Sequence, residues 1–248
     1  MPALRYNAGI RVKEVAMFFP FFDQYYLLLV VPTILLSMWA QFKVKSTFAR
    51  YSKVAPRKKI TGQDSAALLL KAGNISDVHI ESVAGTLTDH YDPSTKVVRL
   101  SRPVFSENSI AAIGVAAHEA GHAIQHATGY GPLVLRSTLV PIANIGSRFG
   151  PILAIAGLFF FNETMPILLP IGIFLFAGAV LFYLVTLPVE FDASARAIAI
   201  LRENSVLSEE ELAGVRKVLT AAAMTYVASA LTAVMSLLRL ILLARNRR

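Results

Sequence analysis

The chain contains no cysteine. Disulfides, thiol catalysis and thiolate metal ligands are excluded together, so any chemistry must rest on histidine, carboxylate, hydroxyl or cationic groups. Charge is the second shortage: 16% of residues are Asp, Glu, Lys or Arg, against about a quarter in a soluble domain. Hydrophobic residues make up 55% and mean hydropathy is +0.56, so much of the chain is expected to face lipid. Acidic residues are fewer than basic ones, 16 against 24, for a net charge of +8. The excess cations lie beside apolar segments, where they act as orientation signals and headgroup contacts. No nucleic-acid-binding motif accompanies them, and nucleic acid is not an expected partner.

What is present is centred on His118-Glu119-Ala120-Gly121-His122, inside the small-residue run Ile110 to Thr128. Residues four apart stack on one helix face, so His118 and His122 can address one metal ion with Glu119 beside them. Two neutral imidazoles supply two of the usual three protein ligands of a catalytic zinc and leave a fourth position for water. A carboxylate next to the first histidine can take a proton from water whose pKa the metal lowers. Ser106 is the expected N-cap of this helix, and Gly129 lies just past its end. The competing reading is a chance pattern of buried histidines satisfied by backbone groups.

The first apolar segment runs from about Phe18 to Phe42, with an uninterrupted core from Tyr25 to Ala40. It reads as an uncleaved transmembrane helix bent at Pro32, since no clear small-residue cleavage site precedes Gln41. Lys43, Lys45, Arg50, Lys53, Arg57, Lys58 and Lys59 follow without an acidic residue, which places this part in the cytoplasm and the N-terminus outside. Thr61 and Asp64 form a variant capping box for a helix ending at Gly73-Asn74. Residues 78–83 and 96–101 alternate as strands do, around a turn at Asp92-Pro93-Ser94. The resulting small sheet either binds substrate along an edge strand or merely packs under the metal helix.

From Leu133 to Phe161 an apolar stretch is broken by Arg136, Pro141, Arg148, Gly150 and Pro151, and is expected to lie on the membrane surface before spanning. Asn162-Glu163-Thr164-Met165 suits an outside loop. Pro166 to Leu187 is the clearest span, with 22 uncharged residues. The final apolar run, Val218 to Leu243, is interrupted by Arg239 and ends in arginines. Either its first half packs on the metal helix and the rest re-enters the membrane, or the span count needs one correction.

The third ligand has few candidates. His126 continues the stripe of histidines but is about 12 Å along the axis from His118, too far to share an ion on a straight helix. Gln125 stands where a metzincin would have glycine. Glu190 is better placed: it opens a helix rich in Ala193, Ser194, Ala195 and Ala197, and the metal helix is equally small, so the two can approach closely. The alternative is a carboxylate capping that helix. Asp192 is offset to another face. An oxyanion stabiliser is also required, with Tyr226 as candidate and Arg196 and His90 as rivals.

Four motifs, Gln41-Phe-Lys-Val-Lys-Ser-Thr-Phe, Leu87-Thr-Asp-His-Tyr-Asp-Pro, Gly114 through His126, and Leu187-Pro-Val-Glu-Phe-Asp-Ala-Ser, resemble the YugP-type neutral zinc metallopeptidases of bacterial membranes. The metal helix followed by Glu-Phe-x-Ala is more distantly similar to HtpX-type membrane proteases and CAAX prenyl proteases. In those relatives the glutamate is the third zinc ligand, and the resemblance implies that role for Glu190. They carry aspartate where this chain has Ser194, supporting a zinc histidine from behind.

The expected molecule is a mostly α integral membrane protein with a small α+β, zincin-like catalytic portion and a short sheet beside the metal helix. Its expected divisions are 1–42, 43–130, 131–187 and 188–248. It should be a multi-pass protein of the bacterial inner membrane, with its active site facing the cytoplasm. It should hydrolyse peptide bonds of protein substrates, membrane proteins among them, with one Zn2+ per chain on His118, His122 and Glu190 and with Glu119 as general base. The alternatives are a scaffold with structural zinc and a site-2-type intramembrane protease. The second needs an aspartate ligand in a later span, and Pro166 to Leu187 has none.

Overall fold

A computed structural model describes residues 23–160 and 164–246. The expected start of the first segment at Phe18, the link residues Asn162 and Glu163, and the terminal Arg247 and Arg248 lie outside them. A π-helical turn, Tyr26–Val30, leads into α1, Val31–Tyr51. The irregularity thus falls just before Pro32, whose missing N–H disturbs the preceding turn. The helix does not end at Phe42 but carries Lys43, Lys45 and Arg50 on its last turns.

The chain continues as α2 (Gly62–Ala72), β1 (His79–Val83), β2 (His90–Asp92), β3 (Val97–Ser101), α3 (Arg102–Ser106), α4 (Ile110–Ala127), α5 (Gly131–Phe159), α6 (Leu168–Glu203) and α7 (Glu209–Arg245). The capping box on α2 is present in full, Thr61 and Asp64 each bonding the other's backbone N–H. The sheet order is β1-β3-β2, with β1 parallel and β2 antiparallel to β3. β2 is only three residues long, too short to show alternation in sequence.

Among the described residues, four helices are long and apolar enough to cross a membrane: Tyr26–Tyr51, Gly131–Phe159, Leu168–Glu203 and Glu209–Arg245. Three of them differ from expectation by being continuous. α5 runs through Pro141 and Pro151 instead of changing direction, and α6 runs through Pro188. Glu190 is therefore in the middle of a helix, which removes the reading of it as a first-turn cap. α7 extends beyond the expected run at both ends.

Two units emerge. One gathers the described residues of 1–36, 141–180 and 230–248; the other holds 37–140 and 181–229. Within the first, α5 and α6 form a close antiparallel pair: a Cβ on Gly150 would stand 2.8 Å from the Phe176 backbone nitrogen. Arg239 and Asp23 pair there, Nε to Oδ2 at 2.8 Å, and the Asn246 amide donates to the Tyr25 hydroxyl. The start of α1 and the end of α7 thus share one end of this unit. The second unit has a continuous core in which Leu69, Leu100, Ile113, Ala117, Leu201, Leu212 and Val215 are fully buried. Val218 and Leu219 belong to that core, so the first half of α7 packs beside the metal helix.

Candidate metal centre

α4 is set in place by its small residues. Ala111, Ala112, Ala116, Ala117, Ala120 and Ala123 are all buried, so backbone, not bulk, meets the neighbouring elements. Its N-cap is Ser109, whose hydroxyl accepts from the Ala112 N–H, and not Ser106, which ends α3. Thr128 follows as the C-cap, and Gly129 adopts φ +62°, the left-handed conformation that ends many helices.

His118 and His122 stack along one face of α4, ring centroids 4.7 Å apart. Glu190 comes to them from α6. Its Oε2 lies 3.2 Å from His118 Nε2 and 3.6 Å from His122 Nε2, and the three donor atoms all fall within 4.8 Å of one another. Donors about 2.0–2.2 Å from a shared tetrahedral zinc stand roughly 3.3–3.5 Å apart, and the two Glu190–histidine separations lie close to that spacing. Close helix approach makes this possible: a Cβ on Gly121 would stand 2.7 Å from the Ala193 carbonyl oxygen. Ala120 and Ala193 are fully buried at the same contact.

Behind the imidazoles lies a second set of groups. Ser194 Oγ is 3.1 Å from His118 Nδ1. With Nε2 turned towards the metal position, Nδ1–H donates to this hydroxyl. His122 Nδ1 is 3.0 Å from Gln125 Oε1. The Gln125 amide in turn donates to the Val189 carbonyl at 2.8 Å and to Asp192 Oδ2 at 2.7 Å, and Arg196 Nε donates to that same oxygen. Asp192 therefore acts through Gln125. Arg196 is committed to Asp192 and to the Tyr130 ring, which ends its candidacy as an oxyanion donor.

Arg136, on the second turn of α5, lies 3.5 Å from Glu190 Oε1. One carboxylate oxygen thus faces the histidines and the other a guanidinium. Sequence reasoning treated Arg136 only as a break in an apolar run and Gln125 only as a non-glycine. The available signal was a long polar side chain set among mostly apolar neighbours. His126 is directed elsewhere, its Nδ1 2.8 Å from the Tyr91 hydroxyl, and takes no part in the cluster.

Two cavities meet at this centre. One of about 220 Å³ is bounded by Phe48, Val115, Ser194 and Ala222, the other of about 780 Å³ by Tyr91, His126, Leu133, Arg136 and Val140. Asp89, Glu119, Glu190 and Tyr226 line both. Asp89 accepts from the N–H and hydroxyl of Ser101, and burial holds its carboxyl above the ordinary range despite those bonds. His90, bonded to the Thr88 carbonyl, lines the larger cavity on edge strand β2.

A family model described as "Putative neutral zinc metallopeptidase" matches residues 26–245. The chain belongs to this zinc metallopeptidase family. It is 47% identical over 223 residues to "Putative membrane protease YugP" of Bacillus subtilis (strain 168), an overlap of 90% of this chain and 98% of that protein. No solved structure matches the chain. Family membership, the apolar helices and the His-His-Glu cluster agree on a membrane metallopeptidase, mostly α with a small α+β part.

Proposed function

We propose that this member of the zinc metallopeptidase family is a membrane endopeptidase in which His118, His122 and Glu190 hold one zinc ion and Glu119 is the general base. The observation that carries the reading is the convergence of three ligand atoms within 4.8 Å beside a carboxylate that faces two cavities. Zinc held there supplies a Lewis acid that polarises a carbonyl and brings water towards ionisation near neutral pH. Glu119 takes the proton from the attacking water at its carboxylate and returns it to the departing amine. Tyr226, facing the same space, donates to the oxygen on which negative charge develops. Ser194 and Gln125 fix the orientation of the two imidazoles, and Arg136 turns Glu190 so that one oxygen faces them.

Substrate is read as an extended segment in the larger cavity, paired with the free edge of β2, whose other edge bonds β3. The kinship to a "membrane protease" supports membrane proteins as substrates and a role in their quality control. The cationic run from Lys43 to Lys59, on the last turns of α1 and just beyond it, supports a cytoplasmic active site in a multi-pass protein of the bacterial inner membrane.

Glu119→Gln tests the mechanism. The variant should retain one zinc per chain, measured by elemental analysis, and lose cleavage of a fluorescence-quenched peptide pool by on the order of 10²–10⁴-fold. Undiminished cleavage removes Glu119 from the mechanism. A scaffold with structural zinc would be closed by four protein ligands, and the cavities beside the cluster argue against it.

A further inference from the structure

Arg148 is an exposed guanidinium in the middle of a membrane helix. Its depth follows from the α5–α6 pair: Gly150 meets Phe176 and Gly178 meets Ile142, so Arg148 is level with about the centre of the uncharged run Pro166 to Leu187. Ten residues of helix rise about 15 Å, half of a hydrocarbon core of about 30 Å. Snorkelling serves cations near helix ends, and this one is as far from both surfaces as a residue can be.

The buried face of α5 is a different one. Ala143, Gly146, Gly150 and Ala154 are buried, whereas Asn144, Ile145, Arg148, Phe149 and Ile152 are exposed. Asn144 and Arg148 are one turn apart and share that outward face. Among the described residues the Arg148 guanidinium contacts the adjacent Phe149 ring, 5.7 Å to its centroid, and no carboxylate pairs with it. Two polar side chains so placed match the way membrane helices recognise one another, through hydrogen bonds and opposite charge in a medium without water.

We propose that this face of α5 docks a transmembrane helix of another protein that carries an aspartate or glutamate near its middle. Arg148 binds the carboxylate, the Asn144 amide completes the contact, and Ile145, Phe149 and Ile152 pack against the apolar flanks. A second copy of this chain does not satisfy the charge. Among the described residues of the membrane unit the one carboxylate is Asp23, already held by Arg239, and a symmetric pair would oppose two arginines.

The test uses the full chain in phosphatidylcholine vesicles with labelled Leu-rich helical peptides bearing Glu, Gln or Leu at the centre. Energy transfer should report saturable association with the Glu peptide, at least tenfold weaker for the Gln and Leu peptides. Arg148→Leu should lose the preference and Arg148→Lys should keep it, with thermal unfolding in detergent confirming that both variants fold. Equal association of all three peptides with the wild-type protein overturns the proposal even if Arg148→Leu does not fold. Self-association of wild-type chains that disappears in Arg148→Leu overturns it in favour of a homo-oligomer. Loss of peptide binding when phosphatidylglycerol is added, with the anionic lipid binding wild-type but not Arg148→Leu, overturns it in favour of a lipid headgroup.

Discussion

Arg136 and Glu190 meet at 3.5 Å, and Glu190 is 2% exposed, so the guanidinium joins His118 and His122 in compensating that buried charge. Removing one partner of a buried pair leaves the other charge uncompensated. Arg136→Gln should weaken zinc retention by roughly 10- to 100-fold, the range found when groups behind metal ligands are removed. Zinc affinity measured by competition with a chromophoric chelator checks this, and unchanged affinity would show that Glu190 is held without Arg136. The histidines and glutamate themselves were readable in the sequence, because a one-turn spacing and a small-residue helix are local signals. Gln125 and Arg136 were not, because each is defined by what lies 67 and 54 residues further along, at Asp192 and Glu190. Ser194 was readable only as a departure from relatives. Its hydroxyl stands 3.1 Å from His118 Nδ1, behind the ring edge that points at Glu190.

At the scale of elements, the α4–α6 contact carries the most consequence. Gly121 faces the Ala193 carbonyl too closely for any side chain, and both backbones are fixed by fully buried neighbours. Gly121→Val should force the helices apart, cost about 1–3 kcal/mol of stability and separate Glu190 from the histidines, lowering both the unfolding temperature in detergent and the zinc content. An unchanged zinc stoichiometry would show that the centre tolerates a wider spacing. The small residues of both helices announced this contact in the sequence. The continuity of α5 and α6 was not announced, since Pro141, Pro151 and Pro188 each remove a backbone donor and read as breaks. Neighbouring helices can re-satisfy those freed groups within a membrane, so the same proline that ends a soluble helix only interrupts the ladder here. β2 was missed because a three-residue strand has no periodicity of its own and exists through its pairing with β3.

At the scale of the whole molecule, four helices long and apolar enough to span would return the described chain to the side on which it began, consistent with the pairing of Asp23 and Arg239. The fourth span resolves the ambiguity of the last apolar run: its first half belongs to the core around α4 and its second to the membrane unit. Because the chain has no cysteine, single cysteines report cleanly on sidedness. A cysteine at Lys58 should resist an impermeant maleimide in intact cells and one at Asn246 should react, with the pattern reversed in inverted vesicles. Labelling of both from outside would contradict the orientation. The Asp23–Arg239 pair also has a consequence in time. Arg239 emerges from the ribosome 216 residues after its counter-ion, when three spans have already been made. A nascent chain therefore holds Asp23 without its arginine for most of its synthesis, and the last helix enters the bilayer carrying the arginine that pairs with it. A chain that stops short of Arg239 lacks both the ion pair with Asp23 and the Asn246–Tyr25 hydrogen bond that tie α7 to the segment before α1.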